Sequence, residues 1–234
     1  MTRQLQAVFF DFDGVIADSE PLHLRAYQAV LRADGIDLNK SDYYARYLGY
    51  DDVGLFEALA NDRRISLSAE KVDEWVAAKS QIVEEMLSSD SIVFPGAVAC
   101  VRMFAERVPL AVASGALEPE IAIVLEHAGL RSCFAAIASA SDGVRGKPAP
   151  DLYLLAMAKL RERFPDPLDP AACIAIEDSH WGLEAARRAG LRCVAVTHTY
   201  PAADLGQADL VVERLSDLTL ANVEHLLRDN GGAP

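Results

Sequence analysis

Six short apolar or β-branched runs recur along the chain, at 6–11, 109–114, 135–139, 172–177, 192–197 and 209–212, each bounded by charged, Gly or Pro positions. Runs of this length and composition predict strands. Helical patterns alternate with them: 96–107 after Pro95 and Gly96, 118–128 stopping at Gly129, 151–163 starting beyond Pro150, and 180–189 stopping at Gly190. Glycine just past the last helical residue is the expected stop. Alternation of this kind predicts a doubly wound α/β core built on a parallel sheet. Between the first run and the second the alternation lapses. Residues 18–92 carry helical patterns only: Pro21 to Asp34 with Gly35 as the stop, a piece near 51–61, and 69–88. The expected organisation is a core of 1–17 and 93–234 interrupted by an all-helical domain of 18–92. The tail 229–234 is expected to fray.

The polar residues that end these runs carry the candidate chemistry. Asp11-Phe12-Asp13-Gly14-Val15 follows Ala7-Val8-Phe9-Phe10 directly. Two carboxylates at the end of a buried strand are costly unless their charge is compensated. Magnesium prefers one or two carboxylates plus phosphate oxygens, and Gly14 allows a sharp turn away from the strand. Ser114 follows Leu110-Ala111-Val112-Ala113, and Glu177-Asp178 follows Cys173-Ile174-Ala175-Ile176. Lys147 lies in the Gly/Pro-rich stretch Arg145-Gly146-Lys147-Pro148-Ala149-Pro150. Ligands of open parallel sheets bind outside the carboxyl ends of the strands, so these positions point to a metal-dependent phosphoryl site. Each also has a plainer reading. The Asp pair suits a surface turn or a metal-only site, Ser114 a helix N-cap, Lys147 an exposed loop, and Glu177-Asp178-Ser179 a helix start.

Taken together, DFDGVIADS (11–19), Ser114, GKPAPD (146–151) and EDSHWG (177–182) resemble the four motifs of the haloacid dehalogenase superfamily, in its beta-phosphoglucomutase-like, phosphatase-rich branch. The resemblance implies a Rossmann-like core with a helical cap inserted after the first motif. It implies a phosphatase in which Asp11 is the nucleophile that becomes an aspartyl-phosphate. Asp13 would serve as acid and then base, and would give its backbone carbonyl to a magnesium ion. Asp11, Asp13 and Asp178 form the implied metal set, with Glu177 ligating or orienting metal-bound water. Ser114 and the Gly115 amide would hold the phosphoryl oxygens, and Lys147 would neutralise charge between Asp11 and the phosphoryl group.

Departures within the family narrow this further. Dehalogenase members lack the second aspartate, and the phosphonate-cleaving branch has alanine there, so Asp13 favours phosphate chemistry. Mutase members grip a second phosphate with an arginine three residues past a cap glycine and with Ser-Lys-Asn-like residues after the second-motif serine. Here Gly49 is followed at that offset by Asp52, and Ser114 by Ala116, Leu117 and Glu118. Acids repel a phosphate, so a phosphatase is expected, with a phosphosugar mutase as the alternative and a non-catalytic binding protein more remote. His23, Asp52 and Lys79 are candidate substrate contacts in the cap. His23 also reads as a partly exposed helix histidine, and Lys79 as a solvated charge on its helix. Tyr43, Tyr44, Tyr47 and Tyr50 read mainly as cap core.

Composition constrains partners and setting. With 51% apolar and 24% charged residues in 234, the chain is an ordinary globular protein with a sizeable core. A net charge of −13 argues against nucleic acid. It does not exclude a small phosphorylated metabolite, such as a sugar phosphate or phosphoglycolate-like acid, held by a cation and a lysine. Cys100, Cys133, Cys173 and Cys193 lack metal-ligand spacing, which fits a reduced, cytoplasmic setting. The N-terminal apolar run meets two acids at once and reads as neither signal peptide nor membrane span, so no membrane partner is expected. Monomer and homodimer remain equally open.

Overall fold

The computed structural model describes residues 3–48, 50–89, 91–164 and 166–228. Gly49, which anchors the mutase comparison, and the tail 229–234 lie outside them. The described strands are β1 (Ala7–Phe10), β2 (Leu110–Ala113), β3 (Phe134–Ala138), β4 (Cys173–Glu177), β5 (Arg192–Val196) and β6 (Leu210–Val212). They form one parallel sheet in the order β3-β2-β1-β4-β5-β6. The chain builds outward from β1 on one side, then returns to its other side, so the order reverses beside β1. In doubly wound sheets that reversal opens the ligand crevice at the carboxyl ends of the strands.

Nine α-helical segments accompany the sheet among the described residues. These are α1 (Glu20–Ala33), α2 (Lys40–Asp42), α3 (Asp52–Arg63), α4 (Ala69–Ser89), α5 (Ala97–Ala105), α6 (Glu118–His127), α7 (Asp151–Arg163), α8 (His180–Arg188) and α9 (Leu220–Arg228). The two faces of the sheet differ in bulk. Ala7, Ala111, Ala113, Ala136, Ala138 and Ala175 lie in one buried cluster with Leu152, Tyr153, Ala156, Met157 and Leu160 of α7 and Leu183, Ala185 and Ala186 of α8. Small strand residues let those helices approach closely. On the other face Phe10 meets Phe104 of α5 and Phe134 edge-on, with centroids 6.3 and 5.7 Å apart, the favoured aromatic geometry.

The chain divides into two compact units, Met1–Asp18 with Ser91–Pro234, and Ser19–Asp90. Within the first, the outgoing and returning segments are hydrogen-bonded side by side. Asp18 N donates to Ile92 O at 2.7 Å and Phe94 N to Ile16 O at 2.9 Å, with Ala17 and Val93 as an antiparallel bridge. The second unit is all-helical. Leu24, Tyr27, Val30 and Leu31 of α1 share a core with Leu55, Phe56 and Leu59 of α3 and Trp75 of α4.

The tyrosine patch is split. Tyr43 and Tyr47 are buried in this core, while Tyr44 and Tyr50 are exposed. All three residues of α2 and the π-type turn Tyr43–Tyr47 were unanticipated, as was α9. In α9, Val223, Leu226 and Leu227 repeat at helical spacing and are buried.

Candidate active site

Register brings the motif residues to one level. Phe10 pairs with Ile176 on one side and with Val112 on the other. Asp11, one residue on, therefore stands beside Glu177, and its amide donates to Ile176 O at 3.0 Å. Ser114 lies just past β2, buried, with its amide on Ala138 O at 3.0 Å. Its Oγ accepts from Ala116 N at 3.1 Å. That is a local turn bond, so the helix N-cap reading of Ser114 is corrected: α6 starts after Leu117 and has no side-chain cap. Gly115 follows in open space, with nothing within 4 Å of where a Cβ would stand. Of the Glu177-Asp178-Ser179 group only Ser179 caps α8, accepting from Gly182 N at 3.1 Å.

Lys147 sits between two carboxylates, with Nζ 2.8 Å from Asp11 Oδ1 and 2.6 Å from Glu177 Oε1. The exposed-loop reading of Lys147 is thereby corrected. Burial alone would depress the ammonium pKa, but Asp11 and Glu177 outweigh it and raise it above its ordinary value. Asp11 Oδ1 also accepts from Phe12 N at 2.7 Å. Asp11, Glu177 and Asp178 each offer a carboxylate oxygen within 4.8 Å of the others. Burial first, and then the negative charge of Asp11, push the Glu177 and Asp178 carboxyls well above the usual range. Lys147 opposes this at both, and a Thr199 hydrogen bond does so at Asp178. Three buried carboxylates against one ammonium leave an excess of negative charge, which suits a hard divalent cation taking oxygen ligands. The residues fit such an ion. Asp13 is half-buried two residues past Asp11, bridged to Ala17, and is not among the three.

His23, Asp52 and Lys79 belong to the helical unit and cluster with one another. Lys79 is only 5% exposed, with Nζ 2.9 Å from Asp52 Oδ1. The solvated-charge reading of Lys79 is corrected: Asp52 and the face of Tyr27, 5.1 Å away, make its burial tolerable. Tyr27 OH donates to the same Asp52 oxygen at 2.5 Å. His23 Nδ1 is enclosed without a hydrogen-bond partner. Burial and the Lys79 charge lower its pKa to about 4 against a weaker pull from Asp52, so the ring is neutral near pH 7.

Two segments escaped the motif reading. Tyr153 of α7 donates from its hydroxyl to Glu177 Oε1 at 2.5 Å, and its ring centroid lies 5.4 Å from Lys147 Nζ. A tyrosine two residues into a helix reads as core, yet a buried hydroxyl needs a partner, and that requirement was the available signal. Beyond β5, Thr199 acts on the Asp178 carboxyl and His198 Nδ1 meets Gly14 O at 2.9 Å. These polar residues end a strand just as Asp11 and Asp178 do. Gly182 explains the enclosure of Glu177, because a Cβ there would lie 1.9 Å from Glu177 Oε2.

The haloacid dehalogenase-like hydrolase model matches residues 5–190. Protein CbbY of Rhodobacter capsulatus is 31% identical over 229 residues, covering 93% of this chain and 96% of that protein. Fructose-1-phosphate phosphatase YqaB of Escherichia coli is 31% identical over 198 residues, covering 84% of this chain and 98% of its own. The crystal structure of CbbY from Rhodobacter sphaeroides in complex with phosphate aligns with a TM-score of 0.81 at 26% identity, over 94% of this chain and 100% of that one. With the match spanning most of the sequence and the motif residues meeting where the strand order reverses, the chain belongs to the haloacid dehalogenase-like hydrolase family.

Proposed function

We propose that this hydrolase is a magnesium-dependent phosphatase of small phosphorylated metabolites, sugar phosphates above all, working through an aspartyl-phosphate. The observation that carries the reading is the convergence of Asp11, Lys147, Glu177 and Asp178 on one buried point. Relatives named fructose-1-phosphate phosphatase and hexitol phosphatase B favour the sugar-phosphate class. In the first step an Asp11 carboxylate oxygen bonds to phosphorus while the bond to the leaving alcohol oxygen breaks, and Asp13 gives that oxygen its proton. In the second, Asp13 takes a proton from water as the water oxygen bonds to phosphorus, and the Asp11–phosphorus bond breaks to free phosphate. Acid–base help of this type is worth typically ~10²–10⁴-fold. Lys147, 2.8 Å from Asp11, offsets charge shared between that carboxylate and the phosphoryl group, while Ser114 and the Gly115 amide donate to phosphoryl oxygens. Asp11, Asp178, the Asp13 carbonyl and Glu177, directly or through water, would hold magnesium, which supplies positive charge to the phosphoryl group when bound.

The helical unit is assigned as the specificity-bearing cap, with His23, Asp52 and Lys79 as its candidate substrate contacts. A phosphatase rather than a mutase is supported by the Lys79–Asp52 pair at 2.9 Å, which leaves that lysine's charge already balanced and poorly suited to a second phosphate. A cytoplasmic setting is supported by the four free cysteines. No helix among the described residues is long and apolar enough to cross a membrane. The deciding experiment is phosphate release from a panel of phosphorylated metabolites, with magnesium and with a chelator. Turnover that appears with magnesium and vanishes with chelator is expected. A strict need for a bisphosphate activator would shift the reading to a mutase. No turnover with any divalent cation would overturn it in favour of a ligand-binding protein.

A further inference from the structure

The segment that follows β5 touches the turn carrying Asp13 without belonging to any of the four motifs. His198 Nδ1 lies 2.9 Å from Gly14 O. A carbonyl oxygen only accepts, so the ring carries its proton on Nδ1 and donates it there. The same ring lies flat on Phe94, with centroids 4.0 Å apart and planes 21° from parallel. Phe94 is itself tied to Ile16 O through its amide at 2.9 Å, and Gly14 N donates to Ala17 O at 2.8 Å. One imidazole thus braces both the outgoing segment and the returning one. Its neighbour Thr199 lowers the Asp178 carboxyl pKa against the effect of burial. Gly14 adopts φ +72°, and a Cβ placed there would stand 1.9 Å from Asp178 Oδ2 and 2.9 Å from Thr199 Oγ1. Glycine is required at this position, and glycine is also the residue least able to hold a conformation by itself.

We infer that His198 is a positioning residue for Asp13. By anchoring the Gly14 carbonyl it holds the peptide that follows Gly14, and with it the torsions of the glycine next to the acid, so that the Asp13 carboxyl meets the leaving oxygen. The inference rests on the reading of Asp13 as proton donor. A small angular error at such a group is costly because proton transfer demands hydrogen-bond reach. The effect is therefore confined to substrates whose leaving group needs the proton.

The test compares phenyl phosphate with p-nitrophenyl phosphate, two esters of nearly the same shape whose leaving oxygens differ in basicity. Through kcat/KM each reports steps up to phosphoryl transfer. His198→Phe keeps a ring for Phe94 but has no donor. It is expected to lose about 10-fold on phenyl phosphate and about 2-fold or less on p-nitrophenyl phosphate. His198→Asn, whose amide donates from nearly the place of Nδ1, is expected to restore most of the loss. The ratio of the two kcat/KM values does not depend on the fraction of active enzyme, so partial misfolding cannot imitate the result. His198→Leu carries the same comparison if phenylalanine is not accommodated. Equal losses on both esters, or an Asn variant as selective in its loss as the Phe variant, would overturn the inference. Asp13→Asn separates the two levels of the argument. Selective loss there without it in the His198 variants refutes the positioning role alone. Its absence in Asp13→Asn refutes the acid role, and the role of His198 with it.

Discussion

In the α/β unit, Asp11, Glu177 and Asp178 share one ammonium, that of Lys147. In the helical unit, Lys79 meets one carboxylate, Asp52, while the neighbouring His23 is held neutral. The first cluster is buried and the second largely so, but only the first carries unbalanced charge. A balanced pair is stable without any further charge. An unbalanced one is stable only with a proton or cation from outside, and it is where chemistry is to be expected.

The sharpest way to break this contrast is to remove one acid from each cluster. Asp11→Asn should reduce phosphate release to background while leaving the melting temperature unchanged or raised, because like charges have been relieved. A dead variant that is also strongly destabilised would contradict the idea of excess charge. Asp52→Asn should do the opposite, lowering stability by about 3 kcal/mol in denaturant titration because Lys79 is left buried without its counter-charge. Restored stability in Lys79→Met/Asp52→Asn would confirm the pairing.

The His23 ring offers a pH-resolved version of the same comparison. Its pKa in the folded chain is about 4 against 6.5 when unperturbed. Between those values the unfolded chain binds more protons than the folded one. Stability is therefore full above pH 6.5 and falls as pH drops towards 4, by up to about 3 kcal/mol. In His23→Gln that part of the acid destabilisation should disappear, as read from melting curves across the range. The smallest expected effect is that of Tyr153→Phe, which removes one hydrogen bond to a buried charged group and should cost about 1.5–3 kcal/mol. Magnesium-dependent turnover should persist in it, since Lys147 still partners Glu177.

The strand ends were the readable part of the site. A buried strand such as β4, Cys173–Glu177, is a continuous apolar run whose first polar residue marks the sheet edge, so Asp11, Ser114 and Glu177 stood out in the sequence. Helix α7 was legible residue for residue, from beyond Pro150 to Arg163. What stayed hidden depends on contacts across long sequence separations. Nothing in the local pattern pairs Lys79 with Asp52, 27 positions apart, or turns a charged helix residue inward. His198 bonds a carbonyl 184 positions away. The short elements at 40–47 were missed because aromatic-rich polar stretches have no clean period, and their form is imposed by burying Tyr43 and Tyr47.

The hydrogen-bonded ladder between residues 16–18 and 92–94 has an evolutionary consequence. Because the two points of departure and return are adjacent, the sheet is closed whatever lies between them, and an insert of any length meets the same short gap. Such a port lets selection exchange whole inserted modules, lengthen them or trim them to a tight turn, while the residues at the strand ends stay where they are.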